Sequence, residues 1–124
     1  MVLKFGKDNH SVDQIMSMIS KVETVKELNE NVQEMQVKTN IPSENSALVY
    51  LVLKPFNRLY RSRDFIFIRH VFKAGRQVYM VDKSIENTNY PPFMTIVRGQ
   101  LCIVYGLFER EHEFELIADV EITN

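Results

Sequence analysis

The residues best equipped for chemistry in this chain are its histidines, its single cysteine and a few arginines set among apolar residues. His10, His70 and His112 have no metal-ligand spacing with one another or with Cys102. EREHE, Glu109 to Glu113, falls in a turn between strand-like runs and is no HExxH helix. GxSxG, Walker-type and GxGxxG patterns are absent, and with 4 glycines in the chain none is hidden. Cys102 lies in the apolar run LCIVYG, where a thiol serves as a buried hydrophobe rather than a nucleophile. His70 with Asp64 would be the acid–base pair of a curved-sheet dehydratase or isomerase. Both fall on the even-numbered face of their strand, away from Phe65 and Phe67, which argues against that use. The chain reads as non-enzymatic.

The arginines ask a different question. In SRDFIFIR, residues 62–69, Arg63, Phe65, Phe67 and Arg69 share one face by the period of two. A guanidinium beside so much apolar surface needs a partner. Arg69 either meets a polar head group or hydroxyl, directly or through water, or it sits at a strand end and snorkels to a surface carboxylate. Asp64 is expected to organise the preceding turn by accepting backbone N–H groups. Arg98 precedes Gly99, which permits a bulge or the close approach of another backbone. Lys54, Arg58, Arg61 and Arg63 interleave with Phe56 and Tyr60. Such a stretch is a solvated loop, or it touches anionic lipid head groups. Single-strand nucleic-acid stacking is a third use, but a net charge of −1 argues against nucleic acid as a partner.

The elements that would position these residues follow from patterning. Ser11 and Gln14 make a capping box before Val12, Ile15, Met16, Ile19 and Val22, so a helix is expected over 12–20 and a second helical piece over 24–28. Strands are expected over 34–41, 47–53 (ALVYLVL), 63–72, 77–85, 94–107 with a bend near Gly99, and 114–122. Lys73 to Arg76 is a hairpin turn, and ENTNYPPF, with two prolines, is a connection no central strand accepts. The fold class is α+β: one N-terminal helix and about six strands in an antiparallel meander, a single domain over residues 1–124. Both faces of the strand from Arg63 are apolar, so the sheet must be covered on both sides or curl around a cavity. The 124 residues suffice for a real core, and 45% hydrophobic with 25% charged residues is ordinary for a globular protein. The N-terminus is too short and polar for a signal peptide, no apolar run approaches a membrane span, and one cysteine fits a reducing compartment, so a cytoplasmic protein is expected.

Several segments in register resemble the START domain family, the steroidogenic acute regulatory protein-related lipid transfer domains. SRDFIFIR resembles the family's RDF strand, and ALVYLVLKPFNRLYRSRDF the strand and loop leading into it. VDQIMSMISKVETVKELNENVQEMQV resembles the family's helix and the turn before its fourth strand. VDKSIENTNYPP followed by IVRG resembles the serine-bearing strand, the proline-bearing connection and the VR motif, and FELIADVEI the late strand carrying an aspartate. The sequence departs from the family in two places. Leu28 stands where a tryptophan is usual, and Asp119 is followed by Val-Glu-Ile-Thr-Asn rather than by glycine, proline and a long helix. The resemblance covers the central part of such a domain, truncated at both ends.

The resemblance implies a helix-grip fold whose curved sheet encloses a tunnel for one lipid: a sterol, a phospholipid or a sphingolipid, either bound only or bound and transferred, with transient contact at a membrane surface and no cofactor. It implies that Arg69 points into the tunnel and that Tyr50 occupies the place of a carboxylate that faces this arginine in some members. Phe65, Phe67 and Met80 would supply apolar wall, and Arg98 is the family's other recurring arginine. On this reading Arg69→Leu lowers lipid uptake and leaves the fold intact. Without the closing helix the chain is expected to bind lipid poorly, aggregate or dimerise. The rival is a protein-interaction or regulatory remnant of the domain that has lost its ligand.

Overall fold

Ser11 starts the helix as the capping box requires. Its hydroxyl accepts from the Gln14 N–H at 3.2 Å, and Gln14 Oε1 accepts from the Ser11 N–H at 2.9 Å. Helix α1 (Val12–Ser20) presents Val12, Ile15, Met16 and Ile19 to one side, and Ile15 is fully buried. The helix ends where Lys21 turns extended, and Ser20 Oγ donates back to the Met16 carbonyl at 2.6 Å. This computed structural model describes residues 2–21, 30–55 and 60–123. The second helical piece expected over 24–28 lies outside them.

The strands are β1 (Val2–Gly6), β2 (Val32–Ile41), β3 (Ser46–Leu53), β4 (Arg63–Ala74), β5 (Gln77–Ser84), β6 (Val97–Arg98), β7 (Gln100–Glu109) and β8 (Glu113–Thr123). They form one curved, unclosed sheet in the order β1-β8-β7-β5-β4-β3-β2. Neighbours along that path run antiparallel, so the expected meander is present. Two turns use left-handed backbone. Gly75 (φ +64) closes β4 onto β5, and Asn45 (φ 50) follows the short 3-10 turn Pro42–Glu44 between β2 and β3.

The described residues hold eight strands rather than about six. β1 was hidden in a short polar stretch, and it is held by pairing Phe5 with Phe114 and Leu3 with Leu116 on β8. The strand expected over 94–107 is broken at Gly99. Before the break, β6 pairs parallel with the start of β4; after it, β7 pairs with β5. The Gly99 N–H donates to the Asp64 carbonyl at 2.8 Å, and a side chain at residue 99 would run into the Phe65 ring. Only glycine admits that approach, which is the bend foreseen at this residue.

The sheet's register sorts the side chains. On the helix-bearing face, α1 packs with Val78, Leu107, Phe114 and Leu116, and a second cluster joins Val32, Met35, Val49, Phe65, Phe67 and Leu101. On the opposite face Leu48, Tyr50, Val52 and Ile66 pack with Ile85 and Tyr90, which belong to the proline-bearing connection after β5. The apolar strand is therefore covered on both sides by different means. A fully buried phenylalanine contributes about 1.5–3 kcal/mol from the apolar area it removes from water, so Phe65 and Phe67 are anchors of this sheet.

Candidate functional site

The β4–β5 hairpin places Arg69 directly opposite Asp82 on the helix-bearing face. Arg69 Nε donates to Asp82 Oδ1 at 2.8 Å and Nη2 to Oδ2 at 2.9 Å, a two-pronged pair. Asp82 is 1% exposed and Arg69 8%. Nη1 reaches the Ser20 carbonyl at 3.4 Å, so the same guanidinium touches the last turn of α1. Burial opposes the Arg69 charge, but the hydrogen bonds and charge of Asp82 outweigh it and hold its pKa above the ordinary arginine value. The pair is walled by apolar rows. Val49 and Phe67 lie on one side, with the Arg69 guanidinium 5.9 Å from the Phe67 ring, and Val71, Met80 and Tyr105 lie on the other.

Two expectations change here. Arg69 does not snorkel to a surface carboxylate; its partner is buried on the next strand. Tyr50 does not face Arg69 either. It pairs with Ile66, while Ala47 sits opposite Arg69, so Tyr50 projects from the opposite face. The prospect that Arg69→Leu leaves the fold intact falls with them, since the change would strand Asp82 without its partner.

Tyr50 and Arg98 belong to a second polar centre. The Tyr50 hydroxyl donates to Asp64 Oδ2 at 2.6 Å, Arg98 Nε donates to Asp64 Oδ1 at 2.7 Å, and Arg98 Nη1 donates to the Tyr90 carbonyl at 3.0 Å. Asp64 is wholly buried, and its carboxylate serves these side chains rather than the backbone of the preceding turn. Burial, and then the Asp64 carboxylate, push the Tyr50 hydroxyl's pKa upward. The six residues assigned to one lipid site thus separate: Arg69, Phe65, Phe67 and Met80 share the helix-bearing face, while Tyr50 and Arg98 lie across the sheet. His70 shares that far face with Asp64, but its Nδ1 lies 2.8 Å from Ser46 Oγ, so the two do not form an acid–base pair.

Tyr105, beside the ion pair, carries a pH signature. Burial, then the charge of Asp82, raise its pKa to about 12, with Arg69 working the other way. Between an ordinary tyrosine pKa of about 10 and that value, the unfolded chain gives up a proton that the folded chain keeps. The contribution is therefore complete below the lower value and is lost as pH rises through the upper one. Alkaline titration followed by phenolate absorbance and circular dichroism should show unfolding in that window, and Tyr105→Phe should move it to higher pH. An unmoved transition would assign the event to another group.

Phe65 and Phe67 are packed among strand residues, and two surface cavities among the described residues are lined by others. One of about 330 Å³ lies on the far face between Lys38, Tyr50, Tyr90, Phe93 and Arg98. Another, of about 550 Å³, lies where β3 ends and β4 begins. The described helix is not long and apolar enough to cross a membrane.

Comparison with known proteins agrees with this fold. The START domain family model matches residues 4–112. The fold is similar to that of human STARD10 (15% identity, TM-score 0.83), covering 98% of this chain and 50% of that one. It is also similar to the human StarD13 (DLC2) lipid transfer and protein localization domain (13% identity, TM-score 0.78, 98% and 60% covered). A STAR-related lipid transfer protein from Xanthomonas axonopodis matches at 10% identity and TM-score 0.80, with 99% and 67% covered. The chain thus spans between half and two-thirds of the length of these structures. No curated protein matches its sequence.

Proposed function

The chain belongs to the START domain family, and from that premise we propose that its helix-bearing sheet face takes an apolar lipid, with Arg69 as the polar group that orients it. The observation that carries this reading is a charged pair set in a mainly apolar wall that the chain itself leaves partly open. Val37, Val120 and Ile122 lie on the same face as Arg69, and each is exposed. Val120 is in the cross-strand row that runs through Ile103 and Asp82 to Arg69. A hydrocarbon chain laid along these residues gains about 25 cal/mol for each Å² of apolar surface it covers. Among the described residues, Asp82 and the Ser20 carbonyl accept three of the five guanidinium N–H groups of Arg69, which leaves two for a hydroxyl or phosphate oxygen. A sterol, a phospholipid and a sphingolipid all meet that description.

The test is recovery and identification of bound small molecules from the purified chain by mass spectrometry, followed by titration with a fluorescent sterol and a fluorescent phospholipid. Ile122→Arg should weaken lipid binding at least several-fold, because it puts a charge onto the apolar track, while leaving the unfolding midpoint unchanged. A chain that yields no lipid and binds neither probe would favour the alternative, an interaction or regulatory module that keeps the sheet without a ligand.

A further inference from the structure

The cavity of about 550 Å³ between the end of β3 and the start of β4 is lined by Asn31, Leu53, Lys54, Pro55, Tyr60, Arg61 and Arg63. Three of these are cations, and none of these described residues is a carboxylate. Among the described residues, none of the three meets an acidic partner. This is unusual company in a chain with 16 acidic and 15 basic residues, where mixed charge on every surface is the default. Backbone bonds fix where Lys54 and Arg63 leave the chain, and one side-chain bond anchors Arg61. The Lys54 N–H donates to the Asn31 carbonyl at 2.8 Å, Arg63 pairs with Leu53 across the strands, and Arg61 Nη1 reaches the Met94 carbonyl at 3.4 Å.

We propose that this cavity is an anion site that takes a phosphate-bearing group. Two arginine forks and an ammonium supply more donors than a carboxylate can accept, and the oxygens of a phosphate match them. The apolar neighbours indicate the source. Arg61 ties the site to the segment of Phe93 and Met94, which are 60% and 95% exposed, and Tyr60 in the lining is 57% exposed. Apolar tips next to cations suit a phosphate carried by a lipid head group at a bilayer surface, where the tips enter the interface. A soluble phosphate ester would use the cations alone. The site lies apart from Arg69 and needs no lipid on the helix-bearing face, so either proposal can fail without the other.

The 124-residue chain would be titrated calorimetrically with inorganic pyrophosphate, and its binding to phosphatidylcholine vesicles measured with and without phosphatidic acid. Saturable, salt-sensitive binding is expected, weakened roughly fivefold by each of Lys54→Ala, Arg61→Ala and Arg63→Ala, and untouched by Lys83→Ala outside the site. If head groups are the source, phosphatidic acid vesicles bind more tightly than pyrophosphate, and the double change Phe93→Ser with Met94→Ser weakens vesicle binding alone. If the source is soluble, the vesicles add nothing and that double change is silent. Absence of binding to either probe, or binding that survives removal of all three cations, would overturn the anion site.

Discussion

Asp82→Ala is expected to destabilise the chain by about 3–5 kcal/mol, because it leaves the Arg69 guanidinium buried without a counter-charge. Folded domains are stable by only about 5–15 kcal/mol, so this one change brings the chain to the edge of unfolding. Arg69→Leu should cost a similar amount for the mirrored reason, an orphaned carboxylate that is 1% exposed. The double change Arg69→Met with Asp82→Leu removes both charges and keeps apolar bulk, and it should recover most of the loss. Urea unfolding followed by circular dichroism measures all three. If the double variant is as unstable as the sum of the singles, the two residues act independently and the pair is not what holds this part of the sheet. The cycle also guards the functional test, since a drop in lipid binding by Arg69→Leu means little until lost folding has been accounted for.

Much of this architecture was legible from local rules. The capping box at Ser11 fixed the start of α1, and the period of two separated Phe65, Phe67 and Arg69 from Asp64, Ile66 and Ile68. The partner of Arg69 was legible too, but through register rather than resemblance. The tight turn at Gly75–Arg76 sets Ala74 opposite Gln77, and an equal number of steps along each strand brings Arg69 opposite Asp82. In VYMVDKS, Asp82 shares its face with Met80, and a carboxylate in such a row is the signal that could have found it. The same arithmetic excludes Tyr50. With Leu53 opposite Arg63, Tyr50 and Arg69 fall on opposite sides of the sheet. The Asp64 centre was beyond local reading, because Tyr50, Asp64 and Arg98 come from three strands and meet only when β6 leaves the line of β7 at Gly99.

That meeting makes Asp64 the second position of large effect. Its carboxylate accepts from the Tyr50 hydroxyl and from Arg98, and it is the wholly buried acceptor between β3 and β6. Asp64→Ala should cost about 3–5 kcal/mol, as removal of one member of a buried charged pair does. Tyr50→Phe, which takes away one hydrogen bond and leaves the Arg98 pair intact, should cost about 1.5–3 kcal/mol. The contrast decides what the centre is for. If it pins β6 to β4, Asp64→Ala should speed hydrogen exchange at the Val97 and Gly99 amides, which bond to the Ser62 and Asp64 carbonyls, while Tyr50→Phe leaves both protected. Unchanged exchange in Asp64→Ala would mean that the parallel backbone pairing holds β6 without the ion pair. The buried aspartate would then have to be explained by what lies above it, the cavity between Tyr50, Tyr90 and Arg98.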